Sequence, residues 1–379
     1  MPLRLPPWRC ANFFTRYNLD HFATPGAPHS QTPRPRRVTA RVAAGPRSPS
    51  LSAAVLLGLL GCGPNTRRLV VPAIGRLTSA RLTAAYDALP ESRQIVARSA
   101  PGCRAFDSIE AMLAARVVDA AVVGGPLEHR ASLTVSALGA GLPVLVEPPI
   151  APSIEEADWI AEAERAVRVP IMVGFRRRWW KPAERLRRAL AGAPEGEMAV
   201  ESALAIEAGD PDPFVELAGH LDLVSHVVDR EIATVSARRE SPDTIEAQLT
   251  FHGGGAARCL ARPGARSMER IGIRWGTRSY EIRWGSNRIR PASGPRRGAM
   301  DLLAAVPGRL LGTRDPVDLS YESMLRAFVH GVQTKGSTPP GSSAGIAALL
   351  AITALRRSLE EGGVAAAVPP TLSHRPQAG

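Results

Sequence analysis

The segment that most constrains the fold is "AVLLGLLGCGPNT", at positions 54–66. It belongs to an apolar run, Ala53 to Leu60, of the kind that forms a parallel strand buried on both faces. The run ends in the glycine turn Gly61-Cys62-Gly63, and a helical pattern follows from about Asn65 to Leu77. A strand, a tight turn and a helix in this order predict the first unit of a doubly wound parallel sheet.

The following hundred residues repeat this alternation. Ser153-Ile154-Glu155-Glu156 forms a capping box, which predicts a helix from Glu155 to Val167. Another helix is predicted at 127–141, and the predicted strands are 81–86, 117–123, 143–146 and 170–174. The pattern therefore predicts an α/β domain over residues 51–174.

After about residue 195 the pattern changes to short β-branched or alternating segments. A helix is predicted at 215–229 and two more at 321–333 and 344–361, while the predicted strands are 232–237, 245–252, 270–275 and 280–284. Short strands with few helices are typical of an antiparallel sheet, so we predict a separate α+β domain over residues 175–370.

The two ends differ from this pattern in composition. Residues 1–50 contain nine prolines and eight arginines against one acid, Asp20, and carry +7 of the formal net charge of +12. We expect them and residues 371–379 to be disordered. Lys181 and Lys335 are the only lysines, so the positive charge reflects a bias toward arginine. The sequence contains no nucleic-acid-binding motif, and we therefore expect no nucleic-acid partner. The four scattered cysteines argue against a zinc site, and we expect no bound metal.

The glycine turn fits the fingerprint of a dinucleotide site, which needs G-x-G-x-x-G/A between a strand and a helix. Gly61 and Gly63 occupy the first two glycine positions, with Cys62 between them and Asn65 at the start of the helix. Thr66 occupies the third, where a β-branched side chain is a departure. Asp87 follows the second strand, where a carboxylate accepts hydrogen bonds from the adenosine ribose and disfavours a 2′-phosphate, so NAD is favoured over NADP.

The same segment has a second interpretation. Leu59-Leu60-Gly61-Cys62 is the pattern at which a bacterial lipoprotein signal is cut and lipidated. A signal peptide has a short basic region directly before its apolar core, whereas about fifty residues precede this one. The longest uncharged apolar run, residues 51–63, is too short to span a bilayer, so we expect a cytoplasmic protein without membrane contact.

Three longer segments show a family resemblance. They are "DAAVVGGPLEHRASLTVSALGAGLPVLVEPPIAPSIEEADWIAEAE" (119–164), "MVGFRRRWWKPA" (172–183) and "GHLDLVSHVVDRE" (219–231). In this order they resemble the Gfo/Idh/MocA family, the group of glucose-fructose oxidoreductase and inositol dehydrogenase. The resemblance implies a Rossmann domain binding NAD or NADP and an α+β domain whose open sheet carries the substrate site and often mediates oligomerisation. It also implies oxidation or reduction of a hydroxyl or carbonyl on a sugar, a cyclitol or a similar molecule.

The resemblance also implies site residues. Asp222 and His226 match the family's Asp and His four residues apart, and on a helix they share one face, so we predict that they are catalytic. The family's Glu-Lys-Pro motif is Glu147-Pro148-Pro149 here, so the lysine that assists proton transfer is lost. Gly125-Pro126 stands where the family commonly has Thr-Pro at the nicotinamide. We therefore predict cofactor contacts at Gly125, Pro126, Glu147 and Pro148.

A cation near the lost lysine would have to come from elsewhere. Arg176 and Arg177 follow the strand at 170–174, at the carboxyl edge of the sheet, and we predict that they contact substrate together with Asp222.

Two functions remain open. The first is an NAD(P)-dependent oxidoreductase that is a homo-oligomer. The second is a dinucleotide-binding relative without dehydrogenase activity, which Pro148 and Thr66 favour.

Overall fold

The computed structural model describes residues 53–191, 198–207, 213–264, 268–284, 289–291 and 316–371. The predicted disordered extension, residues 1–50, and residues 372–379 of the predicted tail lie outside them. Within the described part, no helix is long and apolar enough to cross a membrane.

The first half forms a parallel sheet of six strands in the order β3-β2-β1-β4-β5-β6. The strands are β1 (Val55–Leu60), β2 (Ala80–Tyr86), β3 (Arg104–Phe106), β4 (Ala120–Val123), β5 (Val144–Val146) and β6 (Ile171–Val173). In the central register Leu60 pairs with Tyr86 on one side and with Val123 on the other. Strand order reverses between β1 and β4, which is where such folds bind ligands. The predicted doubly wound sheet is confirmed, with β3 added.

Helices connect these strands. A π-helical turn, Thr66–Val70, precedes α1 (Val71–Gly75), and the others are α2 (Pro90–Ser99), α3 (Ile109–Ala114), α4 (Leu127–Gly139) and α5 (Ile154–Val167). The hydroxyl of Ser153 caps α5 by accepting a hydrogen bond of 3.2 Å from the Glu156 N–H, as the capping box predicted.

The second half forms a sheet of eight strands in the order β13-β12-β11-β7-β10-β9-β8-β14. They are β7 (Met198–Glu207), β8 (Ile232–Ser241), β9 (Thr244–Phe251), β10 (Ala256–Gly264), β11 (Met268–Trp275), β12 (Arg278–Arg283), β13 (Arg290–Pro291) and β14 (Ala366–Ala367). Neighbours are antiparallel except β7 and β10, which run parallel. The mostly antiparallel second sheet is therefore confirmed, and β7 and β10 are strands that the sequence did not reveal.

The remaining helices join the two halves. They are a 3₁₀ turn (Arg176–Trp179), α6 (Lys181–Leu190), α7 (Pro213–Val228), α8 (Pro316–Thr334) and α9 (Ser342–Glu360). Tyr321, Leu325 and Phe328 of α8 are buried in the same core as β1, so this late helix completes the first domain. Helix α9 packs on α7 and β8 and also on α5. The predicted boundary between residues 174 and 175 stays a prediction.

Candidate active site

The carboxyl edge of the parallel sheet brings together the turn after β1 and the loop after β4. Gly61 has φ of +91°, and a Cβ there would lie 2.5 Å from the carbonyl oxygen of Gly124. Gly125 has φ of +80°, and a Cβ there would lie 3.1 Å from Gly61 Cα. Both positions therefore require glycine, because left-handed backbone and a close main-chain approach coincide.

The glycine turn leaves room and hydrogen-bond donors for an anion. At Gly63 a Cβ would meet only Gly125 Cα, at 3.8 Å, so the space above this residue is open within the described structure. The N–H groups of Gly63, Asn65 and Thr66 donate to no acceptor among the described residues. Free amides at the start of a helix bind phosphate well, so the geometry suits a pyrophosphate.

Thr66 departs from the fingerprint, and the structure shows how it is accommodated. Its side chain is buried, and a Cβ on Gly124 would lie 2.6 Å from the Thr66 hydroxyl oxygen. The small residue that the close packing needs is thus supplied by Gly124, in the loop after β4. The helix also begins with the π turn at Thr66–Val70.

Asp87 is fixed beside the glycine turn. Its carboxylate accepts hydrogen bonds from the N–H groups of Cys62, at 2.6 Å, and Leu89, at 2.9 Å. Each oxygen keeps a further lone pair for a ribose hydroxyl. Arg93 donates to the carbonyl oxygen of Asp87 rather than to its carboxylate. Burial, and then the charge of Asp87, raise the pKa of the Cys62 thiol to about 12, so the thiol is protonated and only the backbone of Cys62 serves the site.

Arg130, which sequence reasoning missed, joins the loops after β4 and β5. Its guanidinium donates to the carbonyl oxygen of Gly125, at 3.0 and 3.1 Å, and to that of Pro149, at 2.9 Å. Pro126 is exposed directly after Gly125, and Pro148 precedes Pro149 in a cis peptide. Arg130 therefore sets the spacing of the loops that carry four predicted cofactor residues.

Glu147 lies at the end of β5 and is 8% exposed. The hydroxyl of Tyr321, from α8, donates to its Oε1 at 3.4 Å. Burial raises the pKa of Glu147, while the charge of Arg130 and the Tyr321 hydrogen bond oppose that rise. The position beside the missing lysine is therefore occupied by a buried carboxyl group that can hold or release a proton.

The three arginines after β6 have different partners, because side chains in a 3₁₀ turn point about 120° apart. Arg177 is buried in ion pairs with Glu216 and Glu269. A Cβ on Gly219 would overlap its Nη1, so α7 needs glycine there. Arg176 instead lies over the rings of Trp284, at 5.4 Å, and Tyr321, at 5.8 Å.

The ion pairs of Arg177 extend into a buried network under the second sheet. Nδ1 of His220 lies 3.4 Å from Glu269, and its Nε2 lies 3.0 Å from the hydroxyl of Ser202, which donates to the sulfur of Cys259. Burial alone would lower the pKa of His220, but its interactions with the nearby Cys259 and Glu269 raise it to about 9. Arg177 lowers the pKa of Glu216 to about 2. The network is thus charged and internally paired.

Asp222 and His226 lie one turn further along α7. Both carboxylate oxygens of Asp222 accept hydrogen bonds from Arg178, at 2.9 and 2.6 Å. Asp222 lines a cavity of about 220 Å³ between α7, α9 and residues 368–371. Burial, followed by the charges of Arg178 and Arg187, lowers the pKa of His226 to about 3.

The structure places Arg176 near Tyr321, the hydrogen-bond partner of Glu147, and joins Asp222 to the neighbouring Arg178. Within the described part, neither Asp222 nor His226 hydrogen bonds to Glu147 or to each other. His220, on the same helix, reaches the arginines only through Glu269, the ion-pair partner of Arg177. The catalytic role of Asp222 and His226 stays a prediction.

Comparison with known proteins agrees with this geometry. Residues 55–175 match the model of the oxidoreductase family with an NAD-binding Rossmann fold. Inositol 2-dehydrogenase of Corynebacterium glutamicum is 32% identical over 149 residues, 39% of this chain and 44% of that protein. The chain thus spans about half the length of such relatives. UDP-N-acetylglucosamine 3-dehydrogenase of Acidithiobacillus ferrooxidans is 29% identical over 236 residues, 60% of this chain and 72% of that protein.

A solved structure shows the same fold over a longer stretch. Myo-inositol dehydrogenase from Lactobacillus casei, in complex with NAD(H) and myo-inositol, has a TM-score of 0.70 at 18% identity and covers 86% of this chain and 99% of that one. The strand order, the glycine turn and the family match lead to one conclusion. Residues 55–175 are similar to the Gfo/Idh/MocA oxidoreductase family and form a parallel sheet of the Rossmann type.

Proposed function

We propose that the protein is an NAD(P)-dependent oxidoreductase acting on a hydroxyl or carbonyl of a sugar-like or cyclitol-like molecule. The observation that carries the proposal is the carboxyl edge of the parallel sheet, where open amides at Gly63, Asn65 and Thr66 lie beside Asp87. The named activities of the relatives, inositol and UDP-N-acetylglucosamine dehydrogenation, support this substrate class.

The cofactor residues fit a dinucleotide. The amides of the glycine turn would hold the pyrophosphate, Asp87 the adenosine ribose, and the loops at Gly125 and Glu147 the nicotinamide end. We favour NAD, because a 2′-phosphate would approach the carboxylate of Asp87. When bound, the cofactor supplies the hydride acceptor or donor.

Within this proposal, Glu147 handles the proton. As hydride leaves the substrate carbon, the hydroxyl on that carbon gives its proton to the Glu147 carboxylate and the C–O bond becomes a carbonyl. Tyr321 orients the carboxylate through its hydrogen bond. Arg176, whose guanidinium lies 5.8 Å from the centre of the Tyr321 ring, stabilises charge on the substrate oxygen.

The predicted roles of Asp222 and His226 offer a second acid–base pair for the same reaction. Glu147→Gln and His226→Ala separate the two, with NADH affinity as the control that each variant still holds cofactor. We expect Glu147→Gln to lower kcat about 100-fold or more, the usual contribution of a general base, and His226→Ala to keep most activity. Loss of activity in His226→Ala, with activity retained in Glu147→Gln, would instead assign the acid–base role to Asp222 and His226.

A second candidate function is a dinucleotide-binding relative without dehydrogenase activity. Pro148 favours it, because the family's lysine position has no ionisable group. The bidentate hold of Arg178 on Asp222 also favours it, because that carboxylate is already occupied. Saturable NADH binding with no turnover on any member of a polyol and sugar panel would select this candidate over the first.

We further propose a cytoplasmic homo-oligomer. Cleavage before Cys62 would remove β1 from between β2 and β4, which argues against a lipidated mature chain. Intact mass of the protein purified from its own cells tests the location, since a chain starting at a lipidated Cys62 would contradict it. Light scattering tests the assembly, and a monomer at working concentration would contradict that part.

A further inference from the structure

Arg176 differs from its two neighbours in having no carboxylate partner. Arg177 pairs with Glu216 and Glu269, and Arg178 pairs with Asp222. Within the described residues, Arg176 has no ion pair, and its Nη1 is buried without a hydrogen-bond partner. A buried donor on a charged group is normally satisfied, so this nitrogen is missing an acceptor.

Two aromatic rings define where that acceptor can lie. Trp284 and Tyr321 flank the Arg176 guanidinium, and Trp284 is held by Trp180, with ring centroids 4.9 Å apart. Contacts with rings occupy the faces of a guanidinium and leave its N–H edge for a ligand. Two parallel N–H bonds from that edge match the oxygens of a carboxylate or a phosphate.

The charges around Arg176 do not supply such an acceptor. The charge of Arg176 acts on Glu216 and Glu269, but both of these carboxylates are bound by Arg177. Glu147 accepts the hydroxyl hydrogen bond of Tyr321 and has no ion pair with Arg176 among the described residues. The charges of Arg130 and Arg176 both act on Glu147 and offset part of its negative charge.

From the unfilled Nη1 and its aromatic walls we infer that Arg176 binds an anionic group of the substrate, so that the substrate class is an acidic sugar or cyclitol bearing a carboxylate or a phosphate. The inference rests on the proposed function, because it assumes that substrate enters at the edge where Glu147 and Arg176 meet. It adds a specificity-determining residue that the neutral substrates of inositol dehydrogenases do not require.

The test measures binding to the full chain saturated with NADH, by calorimetric titration. The probes are D-glucuronate, D-glucose 6-phosphate and D-glucose, which share a sugar ring and differ in charge and in the anionic group. The variants are Arg176→Gln, which removes the charge, and Arg176→Lys, which keeps the charge but lacks the two parallel N–H donors of the guanidinium. Arg188→Gln, on an exposed face of α6, is the matched control.

We expect one or both anionic probes to bind more tightly than D-glucose, and whichever binds identifies carboxylate or phosphate as the source. Arg176→Gln should weaken the binding of that probe by about 10- to 100-fold, as expected for the loss of a charge-assisted hydrogen bond. The loss of affinity should be smaller in Arg176→Lys, and Arg188→Gln should bind the probe like the wild-type protein. NADH affinity should stay unchanged in all three.

Several results would overturn the inference. They are equal binding of all three probes, absence of anion binding at the highest concentration, or a loss of NADH affinity in Arg176→Gln as large as the loss for the anion. The last would mean that Arg176 holds the cofactor. Turnover of neutral polyols alone would leave the proposed function standing and refute only the acidic substrate. Absence of NADH binding in the wild-type protein would refute the proposed function itself.

Discussion

Alanine substitutions at the two glycines of the glycine turn should affect different properties: the stability of the fold at Gly61 and the binding of NADH at Gly63. In Gly61→Ala the new Cβ would lie 2.5 Å from the carbonyl oxygen and 2.7 Å from the carbonyl carbon of Gly124, and the backbone would have to keep a φ of +91°. The left-handed backbone costs about 1–2 kcal/mol and the overpacking a further 1–3 kcal/mol, so we expect a loss of about 2–5 kcal/mol. In Gly63→Ala the nearest atom lies at 3.8 Å and no positive φ is involved, so stability should hold.

Urea unfolding followed by circular dichroism measures the first effect, and calorimetric titration with NADH measures the second. Gly61→Ala should unfold at clearly lower urea. Gly63→Ala should unfold like the wild-type protein yet bind NADH at least about tenfold more weakly, because its methyl group takes space that the pyrophosphate needs. Unchanged NADH affinity in Gly63→Ala would refute the assignment of the turn to phosphate, and unchanged stability in Gly61→Ala would refute the close approach to Gly124.

Three further predictions concern the buried charges. The pKa of His220 is raised to about 9 in the folded protein, whereas the unfolded value is about 6.5. Protonated His220 therefore contributes its full stabilisation to the fold below about pH 6.5, and this contribution is lost as the pH rises through 9. The free energy of unfolding measured in urea should fall over this range, and the fall should be smaller in His220→Gln. Arg177→Met should lower the free energy of unfolding by about 3–5 kcal/mol, because Glu216 and Glu269 lose their partner, and a urea midpoint equal to that of the wild-type protein would contradict this. Arg130→Met should weaken NADH binding about tenfold by releasing the two loops it joins, with calorimetric titration as the measurement and unchanged affinity as the contrary result.

The parallel sheet could be predicted because its strands are apolar on both faces and are separated by helix signals. Strand β3 escaped because only one of its three residues, Phe106, is buried, whereas the equally short β5 and β6 are apolar throughout. Strands β7 and β10 escaped because they contain several alanine, glutamate and arginine residues, which do not favour strands. Helix α6, which follows Trp180 directly, was not among the predicted helices.

The site was predictable where a backbone conformation needs a particular residue, as at Gly61, or where chain spacing fixes a position, as at Asp87. The partner of Glu147 could not be found this way, because Tyr321 is 174 residues away along the chain. The helical spacing correctly put Asp222 and His226 on one face of α7. It could not show that this face meets Arg178, because the rotation of a helix depends on the packing of its neighbours.

The most direct test of the account is a crystal structure of the full chain with NADH. The account predicts the pyrophosphate on the amides of Gly63, Asn65 and Thr66, the adenosine ribose hydroxyls on Asp87, and the nicotinamide between the loops at Gly125 and Glu147. A dinucleotide bound elsewhere, such as in the cavity beside Asp222, or a turn left empty at saturating NADH, would contradict it.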